Sequence, residues 1–267
     1  MRITFIGGGN MAGAIIAGLA QQSGHDVQVV DRNADKLDRL RQAYGVSTWL
    51  AVPEAFSREE IVVLAIKPQQ LKALCLDLAP RLNGALVVSI AAGVRSQALS
   101  RWLNSPRVVR AMPNTPAMIG KGMSGLYAPD DVDAEDRAAA ATILQAVGQV
   151  QWLSAEVGID DITCISGSGP AYVFYFVESM IQAACEVGFS AEDARNLVLA
   201  TFEGAVDLAR QSPLAVSDLR LNVTSKGGTT ERAIARFEQE GVKQAIVAGA
   251  MDCRARSIEM GQQLSQD

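Results

Sequence analysis

The run Gly7-Gly8-Gly9-Asn10-Met11-Ala12 follows an apolar β-type run, Arg2 to Ile6, and opens a segment rich in small residues, Asn10 to Ser23. This is a G-x-G-x-x-A turn between a strand and a helix. Gly7 permits the tight turn, Gly9 removes a Cβ that would hold a pyrophosphate off the backbone, and Ala12 lets the helix pack close on the strand. The phosphates would rest at the helix N-terminus, where free N–H groups and the helix dipole favour negative charge. Ile6 to Met11 is therefore the expected cradle of a nicotinamide dinucleotide. Asp31 closes a second β-type run, Asp26 to Val30. Its carboxylate would accept hydrogen bonds from a ribose 2′-hydroxyl and favour NAD. Arg32 beside it would pair with a 2′-phosphate and favour NADP. NADPH and NADH both stay open. Ala65-Ile66-Lys67-Pro68 and Ala91-Ala92-Gly93 each follow an apolar run directly. Ligands in an open α/β sheet gather beyond the strand C-termini, so both segments suit backbone contacts with the nicotinamide half, and equally suit ordinary βα loops.

Two later stretches read as helix starts built from small residues. Ser166-Gly167-Ser168-Gly169-Pro170 precedes a long apolar run, and Thr224-Ser225-Lys226-Gly227-Gly228-Thr229-Thr230 precedes a helical pattern beginning near Glu231. Consecutive glycine N–H groups with Ser and Thr hydroxyls at a helix start can hold a carboxylate or a phosphate. Ser and Thr chosen only for capping would look the same. Ser168 in the first stretch, and Ser225, Gly227, Gly228, Thr229 and Thr230 in the second, are the candidate substrate contacts. General acids are scarce. The single histidine, His25, falls between the first helix and the second strand, which is expected to be away from the ligand. This suits chemistry that asks little proton transfer of the protein. Reduction of a C=N bond is one such case, since the nitrogen can arrive protonated and the protein mainly positions donor and acceptor. A carbonyl reduction would ask more of a general acid.

The elements that must position these residues alternate in the first half. β-type runs at Arg2 to Ile6, Asp26 to Val30, Ile61 to Ile66, Leu86 to Ile90 and Arg107 to Ala111 are separated by helical patterns, Ala34 to Tyr44 among them, and Pro68 suits a first helical turn. Such alternation implies parallel βαβ units. From about Ala155 the β-type runs cease and helical patterns take over, at Ala171 to Val187, Ala191 to Arg210, Thr230 to Glu240 and Val242 to Leu264. The fold class expected is α/β, with a Rossmann-type dinucleotide-binding domain over 1–154 followed by an all-α dimerisation domain over 155–267. The consecutive Tyr172-Val173-Phe174-Tyr175-Phe176-Val177 would make a helix apolar all round. A small helical domain offers too little core to enclose it, which points to a subunit interface.

Composition narrows the classes. Hydrophobic residues are 49% and charged residues 20%, as in globular chains. A net charge of −5 and 5% aromatics argue against a nucleic-acid or anionic-membrane partner. The four cysteines form no C-x-x-C pair, so neither a metal site nor a disulfide is expected. With no signal-peptide pattern and no spanning segment visible, a reduced, cytoplasmic chain is the expectation.

Taken together, the segments GGGNMA, AIKPQ (Ala65 to Gln69), SIAAG (Ser89 to Gly93), RAMPNTP (Arg110 to Pro116), ISGSGPAY (Ile165 to Tyr172) and NVTSKGGTT (Asn222 to Thr230) resemble, in order and over essentially the whole length, the pyrroline-5-carboxylate reductase family. The resemblance implies NAD(P)H-dependent reduction of 1-pyrroline-5-carboxylate to L-proline. It implies a helical domain that interlocks two subunits as a homodimer, with a homodecamer as the candidate higher assembly. Gly7 to Met11, Ala65 to Pro68 and Ala91 to Gly93 would contact the cofactor. Met112, Pro113 and Asn114 would lie near the nicotinamide. Ser225, Gly227, Gly228, Thr229 and Thr230 would hold the substrate carboxylate, with Thr230 the best hydroxyl for proton donation to the ring nitrogen. Two positions depart from the family pattern: Asp31 stands where Asn or Ser is common, and Val52 cannot make a contact that Asn often makes to the adenosine.

Two other readings use the same residues. A hydroxyacid-dehydrogenase-like reductase would need a lysine in the helical domain, where Lys226 and Lys243 are the only two. A dinucleotide-sensing regulator would bind NAD(P)H without turnover.

Overall fold

The computed structural model describes residues 1–266. One sheet holds β1 (Arg2–Ile6), β2 (Asp26–Val30), β3 (Ser47–Trp49), β4 (Glu60–Leu64), β5 (Leu86–Ser89), β6 (Val108–Met112), β7 (Gly122–Tyr127) and β8 (Gly148–Trp152). Their order is β3-β2-β1-β4-β5-β6-β7-β8, and only the β6–β7 pair is antiparallel. β1 lies between β2 and β4, so the chain changes direction across the sheet there and opens the crevice in which such sheets bind ligands.

Helices cover both faces, as the continuous apolar strands require. They are α1 (Asn10–Ala20), α2 (Ala34–Tyr44), α3 (Leu71–Leu78), α4 (Ser96–Leu103), α5 (Ala134–Gln145) and α6 (Val157–Ile162). The period-2 alternation of β4 divides its side chains between two cores. Ile61 and Val63 pack with Ile3, Phe5, Ile15, Ile16 and Leu19 on one face. Val62 and Leu64 pack with Leu71, Leu78, Leu99 and Leu103 on the other.

The expected strands shift by a residue or two. The run Ile61 to Ile66 ends as a strand at Leu64, and Leu86 to Ile90 ends at Ser89, which leaves Ala65, Ile66 and Ile90 to loops at the sheet's C-terminal edge. β3, β7 and β8 have no counterpart in the sequence reading. β7 carries two glycines and β8 exposes Gln149 and Gln151, so neither shows the apolar run that marks the central strands.

The Ser166 to Pro170 stretch is not a free helix start. Thr163–Gly167 is a π-helical turn joining α6 to α7 (Gly169–Glu186), and the Ser168 N–H donates to the Thr163 carbonyl at 2.8 Å. The hydroxyls of Thr163 and Ser166 bond backward to the carbonyls of Ile159 and Ile162 rather than capping N–H groups. Such back-bonding is the alternative open to any helical Ser or Thr.

Beyond α7 lie α8 (Ala191–Gln211), α9 (Val216–Asn222), α10 (Thr229–Gln239) and α11 (Val242–Leu264). The chain forms two compact units, Met1–Pro170 with the segment from Asp252 onward, and Ala171–Met251. The first unit thus runs past residue 154 and takes back the end of α11. Charged and polar pairs hold that end: Ser257 to Asp160 at 2.6 Å, Arg254 to Asp161 at 2.5 Å, and the Ser265 hydroxyl accepting from the Arg95 N–H at 2.9 Å. In the second unit the Tyr172–Val177 run is not enclosed. Phe174 and Tyr175 are 66% and 69% exposed, and Val206, Leu208, Val223 and Phe237 are exposed too. Apolar side chains on this scale require cover.

Gly18 tests the packing of the first unit. A Cβ there would stand 2.3 Å from the Ala146 carbonyl oxygen, backbone that cannot swing aside. Alanine at an open helical site would gain up to about 1 kcal/mol over glycine. Overpacking costs about 1–3 kcal/mol. Gly18→Ala should therefore lower the urea midpoint, and an unchanged or higher midpoint would contradict the close approach of the α5 end to α1.

Candidate active site

The glycine turn is built by close approach of backbones. Gly7 has φ +102°, and a Cβ on it would stand 2.4 Å from the Ala65 carbonyl oxygen. Both the conformation and the space exclude a side chain. The Gly7 N–H donates to the Val30 carbonyl at 2.8 Å, and the Ala65 N–H to the Ile6 carbonyl at 2.9 Å, so the ends of β1, β2 and β4 are tied around this turn. Gly9 is extended and caps α1 without any side-chain hydrogen bond, no acidic residue stands in the first turn, and nothing lies within 4 Å of where its Cβ would be. This leaves a helix N-terminus with unspent N–H groups, a positive dipole end and open space, as a dinucleotide pyrophosphate requires.

Around the turn, one edge of one sheet gathers the segments singled out from the sequence. Ile6 to Met11 follow β1, Asp31 and Arg32 follow β2, Ala65 to Pro68 follow β4, Ala91 to Gly93 come just after β5, and Met112 to Asn114 end β6. Ala65 and Ile66 are half-buried, Lys67 is exposed, and Pro68 opens a short 3-10 turn ahead of α3. Gly93 has φ +77°, and a Cβ there would meet Leu264 at 2.9 Å.

Asn114 is turned inward. Its amide nitrogen donates to the Ser166 carbonyl at 3.0 Å and its oxygen accepts the Met123 N–H at 2.9 Å. Gly167 lies so close to Met112 that a Cβ would be 2.9 Å from its Cε. The segment Met112 to Asn114 is therefore clasped to the π-helical turn, with the Asn114 side chain as the clasp. Ser168 follows that turn, and its hydroxyl accepts from the Cys253 thiol at 3.2 Å.

The Asp31 carboxylate is already engaged. Burial would raise its pKa, but hydrogen bonds from Lys36, Gly8 and Asn33, with the charge of Lys36, outweigh burial and hold it below the usual carboxylate value. Lys36 was absent from the sequence reading. Its signal was the place, one turn into the helix that follows Asp31.

The second unit carries the other candidate segment. Gly228 caps α10 in an extended conformation with no side-chain bond, and Gly227 has φ +75°. A Cβ on Gly228 would stand 2.6 Å from the Ser225 hydroxyl. Thr229 and Thr230 begin the helix, exposed, with no hydroxyl hydrogen bond among the described residues. The Gly227 N–H is taken by the Glu231 carboxylate at 2.6 Å. A glutamate in the first turn thus reaches back to the residue before the cap, where an acidic side chain also suits the positive end of the helix dipole.

The sequence reading also missed a buried charge network behind β6. Arg110 is 3% exposed and pairs with Glu156 at 2.6 Å; Glu156 also accepts the Ser96 N–H at 2.6 Å and its hydroxyl at 2.9 Å. Burial pulls the Arg110 guanidinium below its ordinary value against the opposing charge and hydrogen bond of Glu156. Arg95 pairs with Asp160 at 2.8 Å alongside.

Comparison with known proteins supplies context for this geometry. Residues 156–260 match the family described as pyrroline-5-carboxylate reductase dimerisation, and residues 2–93 match that described as NADP oxidoreductase, coenzyme F420-dependent. A pyrroline-5-carboxylate reductase of Pseudomonas aeruginosa is 42% identical, covering 99% of this chain and 98% of its own. That of Haemophilus influenzae is 39% identical over 97% of each. Among solved structures, a pyrroline-5-carboxylate reductase from Coxiella burnetii superposes with a TM-score of 0.88 at 39% identity, covering 97% of each chain. The Plasmodium falciparum pyrroline carboxylate reductase, solved with NADP bound, gives 0.85 at 27% identity over 98% of each.

Glu156→Ala would leave the Arg110 charge buried without its partner. Breaking such a pair costs about 3–5 kcal/mol, and Glu156 is 21% exposed, so the lower end is expected. Adding Arg110→Met should recover most of the loss. Denaturant unfolding of both variants checks this; a double variant no more stable than the single one would mean the penalty lies elsewhere.

Proposed function

The chain belongs to the pyrroline-5-carboxylate reductase family, and on that premise we propose the part each segment of its site takes in the reaction. The protein is an NAD(P)H-dependent oxidoreductase that reduces 1-pyrroline-5-carboxylate to L-proline, the last step of proline biosynthesis. It works as an oligomer through its dimerisation domain on a small-molecule substrate. No helix among the described residues is long and apolar enough to cross a membrane.

The observation that carries the assignment of roles is the uncapped α1 N-terminus at the point where the strand order reverses. In the proposed arrangement, Ile6 to Met11 receive the pyrophosphate, with Asp31 and Arg32 at the ribose end. Ala65 to Pro68, Ala91 to Gly93 and Met112 to Pro113 border the nicotinamide and keep water from it. Asn114 acts on that border by holding Met112 and Pro113 in place. When bound, the reduced nicotinamide supplies the hydride for the imine carbon. The rest of the chemistry is binding, orientation and one proton. Ser225, Gly227, Gly228 and Thr229 take the substrate carboxylate with N–H and hydroxyl donors, and Ser168 adds a further hydroxyl. The substrate carboxylate competes with Glu231 for the Gly227 N–H. Thr230, at the second position of α10, donates a hydrogen bond to the ring nitrogen. A neutral hydroxyl is a poor acid, so toward the unprotonated imine, whose nitrogen lone pair accepts its hydrogen bond, it relays a proton from solvent rather than giving up its own. No stronger acid is needed, which suits a chain with a single histidine.

The functional division we propose is a nucleotide-binding domain over 1–154 and a dimerisation and substrate-binding domain over 155–267; the family match from residue 156 supports it. The uncovered apolar faces of α7 to α11 support an interlocked homodimer, and dimers assembled into a homodecamer complete the proposal. The free cysteines suit a cytoplasmic location.

The purified protein should oxidise NADPH or NADH only when 1-pyrroline-5-carboxylate is added, followed by absorbance; a folded, cofactor-binding sample that oxidises neither would end this reading. Thr230→Ala should lower kcat/KM by at least about 2 kcal/mol of transition-state stabilisation, the scale of one preorganised donor. Unchanged efficiency would take Thr230 out of the reaction. Sedimentation at micromolar concentration should show a dimer or larger, and a stable monomer would contradict the interface.

A further inference from the structure

The loop from Ile90 to Val94 joins β5 toward α4 and carries the Ala91 to Gly93 segment. Alanine and glycine give that segment little side-chain packing of its own, and Gly93, at φ +77°, adds backbone freedom. The start of the loop is tied to the sheet, where the Ile90 N–H donates to the Leu64 carbonyl at 3.1 Å. Its end is tied to the last turns of α11, far along the chain. The Arg95 N–H donates to the Ser265 hydroxyl at 2.9 Å, and the Arg101 guanidinium to the Ser265 carbonyl at 3.4 Å. The Arg95 guanidinium lies against α11 at Gly261, where a Cβ would stand 2.7 Å from its Nε. It also pairs with Asp160, which accepts the Ser257 hydroxyl. Gly93 itself lies against Met260 and Leu264: a Cβ on it would be 2.9 Å from Leu264 Cδ1 and 3.6 Å from Met260 Cβ. Leu264 is half-buried and packs on the core that holds Leu71, Val94 and Leu99. All of these residues belong to the first unit.

We propose that the end of α11 is a strap on the nicotinamide loop, and that Met260, Leu264 and Ser265 are positioning residues for hydride transfer. The proposal rests on the reading that Ala91 to Gly93 border the nicotinamide. A ring that delivers hydride must be held in a narrow geometry, and a displacement of about 1 Å caused from outside the reacting groups can cost about a hundredfold in rate. A loop of small residues does not hold such a border by itself; the layer packed behind it does. Met260 and Leu264 supply that layer where Gly93 has no side chain, and Ser265 fixes the loop's exit through the Arg95 N–H. The strap acts on one half of the cofactor. The pyrophosphate's turn, Gly7 to Gly9, is built separately, by the ends of β1, β2 and β4. Loss of the strap should therefore loosen the nicotinamide and leave the rest of the dinucleotide held.

Kinetics with NADPH, inhibited by 2′-phospho-ADP-ribose, separate the two halves, because the inhibitor is that cofactor without its nicotinamide ring. Leu264→Ala in the full chain should lower kcat/KM for NADPH at least about tenfold, while the inhibition constant changes by less than about twofold. Leu264→Met, which refills the space against Gly93, should restore most of the loss. Ala92→Leu crowds the loop directly and tests the underlying reading: it too should lower kcat/KM and spare the inhibitor. If Ala92→Leu acts and Leu264→Ala does not, the strap is overturned and the nicotinamide border stands. If Ala92→Leu changes neither constant, the border reading falls and the proposal with it. If Leu264→Ala weakens the inhibitor as much as it lowers kcat/KM, the side chain supports the fold at large, and the proposal is overturned as well.

Discussion

The contact on which the site depends is the approach of the Ala65 carbonyl to the α-carbon of Gly7. Were there a Cβ at Gly7, it would stand 2.4 Å from that oxygen. With no side chain there, β1 and β4 run in register to their last residues, Ile6 beside Leu64, and the chain turns immediately into α1. The turn's position at the reversal of strand order follows, and so does the clustering of loops after β1, β2, β4, β5 and β6 along one edge. The α1 N-terminus is left without a cap because Gly9 has no side chain to supply one. A fold that satisfied every donor here would have nothing to offer a phosphate.

Elsewhere in the first unit, polarity is buried where it ties elements together. Arg110 and Glu156 join β6 to the start of α6, Arg95 and Asp160 join α4 to the end of α6's first turn, and the end of α11 is brought to Asp160 by Ser257 and to the neighbouring Asp161 by Arg254. Two carboxylates, Glu156 and Asp160, thus collect partners from three parts of the chain. Buried pairs of this kind contribute little net stability but make any other arrangement costly. The segment Met112 to Asn114 inherits its position from this network on one side and from the π-helical turn on the other. The second unit is built differently. Its described helices bury few side chains of their own, Val177, Ala194 and Val198 among them, and leave large apolar ones uncovered. That is the expected state of helices that complete their core with another chain.

Much of this was legible from residues alone. The glycine turn, the loops after β4 and β5, and the α10 start at Gly227-Gly228 depend on backbone freedom and local hydrogen bonding, which residue type controls directly. The central strands were legible because burial on both faces demands continuous apolar residues. β7 and β8 were not, since they sit toward the sheet edge, where glycines and glutamines are tolerated. The Ser166 to Pro170 stretch leads into α7 with Pro170 in its first turn, as read, but the Ser166 hydroxyl bonds back rather than capping, and that choice is made by what precedes it in space.

By itself the sequence determined the class of fold, the presence of a dinucleotide turn and, through its ordered motifs, the family. These rest on local stereochemistry and on segments whose meaning does not depend on distant partners. Tertiary structure decided which polar groups remain available. Asp31 looks like a free carboxylate in sequence and is spent on Gly8, Asn33 and Lys36. Asn114 looks like a ligand-facing amide and is a clasp for Ser166 and Met123. Gly227 looks like an open donor and is held by Glu231. A side chain's type states what it can bond, and only the folded neighbourhood states what it has already bonded, because buried donors and acceptors are satisfied by whichever partners the packing brings within reach.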